Sequence, residues 1–372
     1  MTYSVLLIIL GIVLIALSVI NANRSLLSIL GIHDFSELFK YRVHEKYHLE
    51  KACKIVVIGG GTGLSVILRG LKKATSNITA VVTTTDDGGG SGVLREDLGM
   101  LPPGDIRSCI LALADTEEYM QELLQYRFKE GYLTGQSFGN LLIAALTGIY
   151  DNFEEAVAKV HEFLAVKGRV IPVTAENIHL CAQLKNGTIV KGESKIIASV
   201  IEQSSPIEKV YLEPHSPEPI DDALTAIKEA DVIILGPGSL FTSIIPNLLV
   251  KKIVDKVTKS DAIKIYMTNV MTQPGETDRY SVCDHIEGIE NHIEKNIIDY
   301  VMVNSEGIPK ELLHRYKEDG AEPVFLTKKE RRKLKRRGIK IIEGPYIEIK
   351  QGYIRHDADK IADVVINLYK RG

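Results

Sequence analysis

Tryptophan is absent from this chain of 372 residues, and aromatic residues make up only 6% of it. A chain with so few aromatic side chains is not expected to carry the stacking platform on which single-stranded nucleic acids bind. Basic residues are not in excess either, since the formal net charge is −3 at pH 7. Without a basic excess the protein cannot displace many counterions from a nucleic acid, so we expect no nucleic-acid partner.

Cysteine is scarce as well. The four cysteines, Cys53, Cys109, Cys181 and Cys283, are far apart and form no Cys-x-x-Cys pair. This spacing argues against a structural zinc site or a disulfide framework and is typical of a reducing compartment. The ten histidines are scattered, and no Ser-His-Asp or Cys-His arrangement follows from their spacing. What the chain does contain, 45% apolar and 25% charged residues, is typical of a globular protein with a substantial core.

One long apolar run lies near the N-terminus. Residues 5–20 carry no charge, and the first basic residue is Arg24. The run predicts a single-pass transmembrane anchor over 1–22, a juxtamembrane connector over 23–52 and a main domain over 53–372. Because basic residues follow the run, we expect the N-terminus outside and the main domain in the cytoplasm, at the cell membrane. A buried core helix is the alternative, and the features of a cleavable signal peptide are missing.

The main domain begins with the pattern of a doubly wound sheet. The apolar segment 54–58 is rich in β-branched residues and runs directly into glycines, after which apolar positions recur at helical spacing. A second apolar run, 78–85, precedes two aspartates, and strand, glycine turn and helix recur at 230–257. The fold class expected is α/β, a Rossmann-like, doubly wound and mostly parallel sheet. Further strands are predicted at 264–270 and 299–304, helices at 106–115, 117–128, 140–150 and 360–369, and a β-rich region at 170–213.

The first strand ends in a glycine loop, which is the strongest site signal in the sequence. Glycine lets the backbone approach a ligand closely, and free N–H groups at the start of a helix favour an anion. Val66 stands at the third position of a G-x-G-x-x-G pattern, and no Gly-Lys-Ser/Thr of a P-loop follows. The loop therefore predicts a phosphate or nucleotide site, with a packing turn as the alternative. Its candidate nucleotide-binding residues are Gly59, Gly60, Gly61, Thr62, Gly63, Leu64 and Ser65.

Two aspartates, Asp86 and Asp87, follow the second strand and precede Gly88 and Gly89. In dinucleotide folds an acid at this place holds a ribose hydroxyl. Two adjacent carboxylates would also suit Mg²⁺ with phosphate oxygens completing its octahedron, and Arg95 would clamp a phosphate. A solvated acidic turn is the alternative. The two aspartates and two glycines are nucleotide-site candidates, and the aspartates are the candidate metal ligands.

Two further polar residues lie at the start of central helices. Asp105 follows Pro102-Pro103-Gly104, and Asn140 lies in Ser-Phe-Gly-Asn before an apolar run. Each residue type is a common N-cap, and each would equally suit a ligand contact. Both are candidates for the nucleotide site, with the N-cap as the open alternative.

A second strand-to-helix turn repeats the pattern of the first glycine loop. A strand runs into glycines, hydroxyl side chains follow, and a helix begins. Two such loops predict a ligand that lies across the carboxyl edge of one sheet. The candidate nucleotide-binding residues of this turn are Gly236, Pro237, Gly238, Ser239, Thr242, Ser243 and Asn247.

A basic run at 328–337 stands out from a balanced charge pattern. An ordinary solvated helix face is one interpretation, and nucleic-acid binding is a lesser one. Beside an anionic leaflet each basic residue contributes on the order of 1 kcal/mol to membrane binding. The run is therefore predicted to dock the domain on an anionic membrane surface through Lys328, Lys329, Arg331, Arg332, Lys333, Lys335, Arg336 and Arg337.

Eight segments, in order along the chain, resemble the YvcK-type gluconeogenesis factor family of the CofD-like (2-phospho-L-lactate transferase) superfamily. They are VVIGGGTGLSVILRGLK, TTTDDGGGSGVLRED, LPPGDIRSCILALA, FGNLLIAAL, VIPVT, LGPGSLFTSIIPNLLV, MTNVMTQPGET and YIRHD. The resemblance covers about residues 54–370 and not the N-terminal region, and the basic run resembles an addition to the family pattern. It implies a Rossmann-like, CofD-like fold and a nucleotide-sugar ligand, UDP-N-acetylglucosamine or UDP-glucose.

The resemblance also implies further site residues and a role. Asn269, Tyr316 and Arg355 are candidate contacts to the sugar nucleotide. The family's role is regulatory and links carbon metabolism to cell-wall synthesis and cell shape in bacteria, without established catalysis. Cell-wall synthesis proteins are the implied partners, and a homo-oligomer is expected. Ala358 stands where some members carry a hydroxyl residue after Arg-His-Asp, so a phosphorylation switch at that position is excluded.

Three functions remain open at this point. The first is a nucleotide-sugar sensor without turnover, favoured because no evident general base lies near the loops. The second is a Mg²⁺-dependent transferase of the CofD type, which the resemblance implies would move a phospholactyl group from a guanosine diphosphate donor to a deazaflavin. The third is a dinucleotide-dependent oxidoreductase, against which the imperfect glycine spacing argues.

Overall fold

The computed structural model describes residues 52–371 and, nearer the N-terminus, the isolated positions Gly11 and Ser18. The anchor predicted over 1–22 and the connector predicted over 23–52 thus lie almost entirely outside the described residues. Across the residues that are described, no helix is both long enough and apolar enough to span a membrane. The anchor stays a prediction.

The described residues form twelve β-strands, numbered in chain order. They are β1 Ile55–Gly59, β2 Ile78–Val82, β3 Arg169–Pro172, β4 His179–Leu184, β5 Ile189–Lys191, β6 Ile207–Glu213, β7 Val232–Leu235, β8 Ile263–Met267, β9 Tyr300–Asn304, β10 Lys340–Gly344, β11 Ile347–Lys350 and β12 Tyr353–His356. Seven of them form one parallel sheet in the order β10-β9-β8-β7-β1-β2-β3. This order, with early strands on one side of β1 and late strands on the other, is the doubly wound arrangement that the sequence predicts.

The same part of the chain forms fourteen α-helices. They are α1 Gly61–Ala74, α2 Gly89–Leu98, α3 Gly104–Leu113, α4 Glu118–Gln125, α5 Phe138–Tyr150, α6 Phe153–Phe163, α7 Glu193–Gln203, α8 Asp221–Glu229, α9 Ile245–Leu249, α10 Ile253–Lys259, α11 Val282–Ile293, α12 Lys310–Glu318, α13 Lys328–Arg336 and α14 Ala358–Arg371. A π-helical turn, Leu240–Ile244, leads into α9.

Alternate residues of the central strands face opposite sides of the sheet and join two apolar cores. In β1, Ile55 and Val57 pack into one core with α1, α3, α5, α6 and α14, whereas Val56 and Ile58 pack into the other with α8–α11 and α13. All five residues of β1 are buried. Parallel strands that are covered by helices on both faces read as continuous apolar runs, which explains the pattern in the sequence.

Two smaller β-structures accompany the main sheet. Strands β5, β4 and β6 form an antiparallel sheet, and α7, which connects β5 to β6, packs against it. Strands β11 and β12 form an antiparallel hairpin, and β12 contacts α1. The hairpin therefore brings the C-terminal part of the chain to the first glycine loop.

Two predicted elements differ from the structure in an informative way. The second strand ends at Val82 rather than at residue 85, because both strands that pair with it end there: Gly59 of β1 and Pro172 of β3 are the partners of Val82. The β-rich region at 170–213 contains helix α7, whose buried residues Ile196 and Val200 lie four apart, as a helical face requires.

Candidate functional site

The two glycine loops lie side by side at the topological switch point of the sheet, where the order of the strands along the chain reverses. β1 and β7 are neighbours, and β2 and β8 lie on their outer sides. Loops at such a point leave β1 and β7 in opposite directions, and the crevice between them is where open α/β sheets bind ligands. We call residues 59–65, from the end of β1 into the first turn of α1, the first loop and residues 236–243, after β7, the second loop.

The two loops touch. A Cβ on Gly63 would lie 2.8 Å from the carbonyl oxygen of Pro237, so a larger residue here would push the loops apart. Asn247 is fully buried and donates from Nδ2 to the carbonyl oxygens of Gly59, at 3.0 Å, and of Ser243, at 2.7 Å. The side chain of Asn247 thus sets the spacing of the loops from within the protein.

A cavity of about 500 Å³ opens at the contact between the loops. Its volume lies within the range of about 300–1,000 Å³ that is usual for small-molecule sites. One wall is the backbone of the two loops, and the other is formed by residues 269–274 and by residues on or near α12 and β12. The predicted site residues that line it are Gly60, Gly61, Thr62, Gly63, Pro237, Gly238, Ser239, Ser243, Asn269, Tyr316 and Arg355.

Asp105 holds the first loop in place. Its Oδ2 accepts the N–H of Gly61 at 2.7 Å. Asp105 lies in the first turn of α3 and the residue before that helix is Pro103, so the alternative in which Asp105 is the N-cap is wrong. Burial, together with the Asp86 charge, raises the pKa of Asp105 to about 6. Asp105 acts on the site through the loop, because it does not line the cavity.

A chain of amide side chains supports the second loop. Gln273 donates from Nε2 to the hydroxyl of Ser239 at 2.7 Å, and Asn269 donates from Nδ2 to Oε1 of Gln273 at 3.1 Å. Gly238 in turn donates its N–H to Oδ1 of Asn269 at 3.4 Å. All four residues line the cavity. Gln273 is not among the predicted site residues, because only the fold brings it against Ser239.

Buried Glu276 organises the C-terminal part of the second loop. Its Oε1 accepts the N–H groups of Phe241, at 2.8 Å, and Thr242, at 3.1 Å. Its Oε2 is buried without a hydrogen-bond partner among the described residues. Burial raises the pKa of Glu276 to about 7, although the two N–H groups act in the opposite direction. Sequence reasoning missed Glu276, since one glutamate 35 residues from Phe241 carries no local signal.

The opposite wall carries a phenol, a guanidinium and an imidazole. Tyr316 accepts the N–H of Ile354 at its hydroxyl, at 3.1 Å, which places its ring against the hairpin. His356 donates from Nε2 to the carbonyl oxygen of Thr268 at 3.1 Å, and burial lowers its pKa to about 4, so it is neutral at pH 7. Arg355 forms no ion pair within the described part of the chain, which leaves its charge free for a ligand.

The predicted acidic pair does not line the cavity. Asp86 accepts the N–H of Gly88 at 3.0 Å, and Asp87 accepts the N–H of Ser194, on α7, at 2.8 Å. Within the described residues, no group of three or more His, Cys, Asp or Glu side chains is arranged to hold a metal ion. Mg²⁺ at Asp86 and Asp87 would depend on ligand phosphates for its other donors, and it stays a prediction.

A third acid, Glu193, joins this region and was not predicted. Its Oε2 accepts the hydroxyl of Thr85 at 2.9 Å. Burial, and then the charges of Asp86 and Asp105, raise the pKa of Glu193 well above its usual value. Glu193 and Asp87 thus connect the segment after β2 to α7, which packs against the small antiparallel sheet.

Two other predicted contacts serve the protein itself. Arg95 is buried and donates from Nε and Nη2 to Oδ1 of Asn177, at 3.0 and 2.6 Å, so its guanidinium is not free to clamp a phosphate. Asn140 lies within α5, whose N-cap is Ser137, so the N-cap alternative for Asn140 is wrong as well. The Oδ1 of Asn140 is buried without a partner among the described residues.

The remaining candidates lie behind the loops rather than at the cavity. Leu64 is fully buried in the core, and Ser65 donates its hydroxyl to the carbonyl oxygen of Thr62 at 2.8 Å. The predicted residues that do not line the cavity are Gly59, Leu64, Ser65, Asp86, Asp87, Gly88, Gly89, Asp105, Asn140, Gly236, Thr242 and Asn247.

The basic run forms helix α13, and part of its charge is used within the domain. Arg331 pairs with Glu343, Lys333 with Glu287, and Arg337 with both Glu287 and Glu290. Buried Leu334 and Glu330 attach the helix to the domain. Five exposed residues have no acidic partner within the described part of the chain: Lys328, Lys329, Arg332, Lys335 and Arg336.

Comparison with known proteins identifies the family of the chain. The family model described as 2-phospho-L-lactate transferase CofD matches residues 55–347. A gluconeogenesis factor of Bacillus subtilis (strain 168) is 45% identical over 318 residues, which is 85% of this chain and 98% of that protein. A protein of Clostridium acetobutylicum is 51% identical over 369 residues, which is 98% of this chain and 81% of that protein.

A solved structure extends the agreement to the fold. The crystal structure of a UPF0052-family protein from Bacillus halodurans has a TM-score of 0.80 and 42% identity to this chain, and it covers 84% of this chain and 98% of its own. Because the family model spans most of the chain and the two Bacillus relatives match over 98% of their length, the chain belongs to the gluconeogenesis factor family, within the CofD-like superfamily.

Proposed function

We propose that this protein is a regulatory protein that binds a nucleotide sugar, UDP-N-acetylglucosamine or UDP-glucose, in the cavity between the two loops. The observation that carries the proposal is the cavity itself. It is lined on one side by the two glycine loops at the topological switch point of the sheet and on the other by the free guanidinium of Arg355. A diphosphate would lie on the loops, where the first turn of α1 offers N–H groups and the positive end of a helix dipole.

The wall opposite the loops suits a sugar or a base better than a phosphate. Tyr316 supplies an aromatic face, and the amides of Asn269 and Gln273 supply both donors and acceptors. Partly buried amides that are fixed by their neighbours discriminate between ligands, because a wrong ligand leaves them unpaired. This wall therefore suits the hydroxyl-rich part of a nucleotide sugar.

The cavity favours binding over turnover. Asp319 is the one carboxylate among its lining residues in the described chain, and it is exposed to solvent. His356 is neutral and donates its Nε2 hydrogen to a backbone carbonyl. Neither is an activated general base beside the loops, where a phosphoryl group would react.

A thermal-shift experiment on the full chain tests the proposal. UDP-N-acetylglucosamine, UDP-glucose, GDP and NAD are compared with and without Mg²⁺, and a ligand at 100 times its Kd adds about 2.7 kcal/mol of stability. We expect the UDP-sugars to raise the Tm most. Arg355→Gln should weaken the response, whereas the charge-matched control Arg332→Gln, on α13, should not. A Tm that neither UDP-sugar changes would show that the chain does not have this function.

A Mg²⁺-dependent transferase is the second candidate, and the match to the CofD family model favours it. Asp86 and Asp87 would then hold the metal together with the phosphates of a nucleotide diphosphate donor. Incubation with a guanosine diphosphate donor, a deazaflavin acceptor and Mg²⁺ distinguishes the two candidates. Formation of the transferred product, and its loss in Asp86→Asn, would replace the regulatory proposal.

The cellular setting is part of the same proposal. We infer a single-pass protein of the cell membrane with its main domain in the cytoplasm, because the apolar run at 5–20 precedes the first basic residues. The five free basic residues of α13 would hold the domain on the anionic leaflet. Cell-wall synthesis proteins and a second copy of the chain are the proposed protein partners.

A further inference from the structure

A second groove runs along helix α1, beside the cavity between the loops. It encloses about 720 Å³. Sixteen residues line it, and only three of them, Thr62, Val66 and Arg355, also line the first cavity. The function proposed above makes no use of the remaining part of this groove.

One wall of the groove is a single face of α1. Thr62, Val66, Arg69 and Lys73 all line it, at successive spacings of four, three and four residues. Residues at these spacings lie on one side of an α-helix. The wall therefore begins at the first loop and continues for the length of the helix.

The opposite wall is the polar face of the hairpin. Glu348 lies opposite Arg355, and Lys350 lies opposite Tyr353, and all four line the groove. Ile354, between Tyr353 and Arg355, is buried in an apolar cluster, as the alternation of a strand requires. The hairpin thus presents charged groups to α1 across the groove.

Basic side chains outnumber acidic ones in the lining of the groove. Each acid in its lining already pairs with a lysine: Glu348 with Lys350 at 2.8 Å, Asp357 with Lys360 at 3.0 Å, and Asp359 with Lys73 at 2.7 Å. Arg69 and Arg355 have no acidic partner within the described part of the chain. One of these arginines comes from each wall, and Arg355 also lies 5.4 Å from the ring of Tyr353.

We propose that this groove is a second ligand site, for a small phosphorylated metabolite whose phosphate is bound by Arg69 and Arg355. Guanidinium groups bind phosphate in a bidentate manner, so two of them on facing walls would offer two pairs of N–H donors to one phosphate group. The ring of Tyr353, which is 51% exposed, offers a surface for the rest of the ligand. Arg355 lines both this groove and the first cavity, whereas Arg69 lines this groove alone, so Arg69 is the residue that distinguishes the two sites.

The absence of tryptophan makes the groove directly observable. In the full chain, Tyr353→Trp introduces a single tryptophan into the groove, and its emission is followed while inorganic pyrophosphate is added. We expect a saturable change. Adding Arg69→Gln should weaken the apparent affinity for pyrophosphate at least about tenfold, because charge-assisted hydrogen bonds are lost. The charge-matched control Arg371→Gln, at the exposed C-terminal end of α14, should leave the affinity unchanged.

Two further measurements serve as controls, one for the introduced tryptophan and one for the first cavity. Isothermal titration of the chain without any introduced tryptophan repeats the comparison of native Arg69 with Arg69→Gln, in case the indole disturbs the groove. The UDP-glucose response of Arg69→Gln reports on the first cavity separately, so failure there is distinguishable from failure here. Equal pyrophosphate affinity with and without Arg69→Gln in the titration would overturn the proposal.

Discussion

Asn247 and Gly59 are joined by a 3.0 Å hydrogen bond, although 188 residues separate them. The same side-chain amide donates to the carbonyl oxygen of Ser243 at 2.7 Å. One buried residue at the start of α9 therefore connects the end of β1 to the second loop. The width of the cavity depends on this connection, because the cavity lies where the two loops meet.

Replacing Asn247 should destabilise the domain and loosen the cavity. In Asn247→Ala, two carbonyl oxygens lose their donor in a buried place, and we expect a loss of about 2–4 kcal/mol in the free energy of unfolding. Urea unfolding of both chains measures the loss. Asn291→Ala, at an exposed position of α11, is the matched control and should change the stability by less than about 0.5 kcal/mol. Equal losses in the two variants would show that the bridge contributes nothing.

Glu276 should make stability depend on pH. Its pKa is raised from 4.5 to about 7 in the folded protein, so its stabilising contribution is complete below pH 4.5 and is lost as the pH rises through 7. The shift corresponds to about 3 kcal/mol. Glu276→Gln keeps an acceptor for Phe241 and Thr242 but cannot ionise. We expect this variant to lose less stability than the parent chain between pH 4.5 and 8.

Urea unfolding across that pH range measures the effect of Glu276→Gln, and Glu202→Gln, at an exposed position of α7, is its control. The control should keep the pH dependence of the parent chain. If Glu276→Gln kept that dependence too, Glu276 would not be the group responsible.

A methyl group at Gly63 should separate the loops. The added Cβ would lie 2.8 Å from the carbonyl oxygen of Pro237, a backbone atom that cannot turn away as a side chain can. We expect Gly63→Ala to remove most of the thermal shift caused by UDP-sugars and to cost about 1–3 kcal/mol of stability. Gly148→Ala in α5 is the control, since an added Cβ there meets nothing within 4 Å. That control should keep the ligand response and gain up to about 1 kcal/mol.

The basic residues of helix α13 should separate into two groups with different effects. Neutralising the unpaired group to glutamine should reduce sedimentation of the full chain with anionic vesicles beyond any reduction with neutral vesicles. Neutralising the paired group, Arg331, Lys333 and Arg337, should lower vesicle binding less for each charge removed, because these charges already face Glu343, Glu287 and Glu290. Vesicle binding that is unaffected by loss of the unpaired group, which comprises Lys328, Lys329, Arg332, Lys335 and Arg336, would contradict the membrane proposal.

Local pattern was sufficient for the architecture. The apolar run of β1 and the glycines after it predict a buried strand, a tight turn and a helix, because these properties depend on neighbouring residues alone. Both glycine loops and the parallel order of the sheet follow from such units. The same reasoning predicts that Gly61 and Gly238 approach a ligand, and both line the cavity.

Hydrogen-bond partners that lie far apart in the chain could not be predicted from the local sequence pattern. Asp105 and Asn247 are ordinary polar residues by sequence, and their contacts to Gly61 and Gly59 span 44 and 188 residues. Glu276 and Glu193 were missed for the same reason. Composition and periodicity determined which segments form the sheet and its glycine loops. Only the packed structure decided which side chains support those loops and which face the cavity, because hydrogen-bond partners are determined by proximity in space.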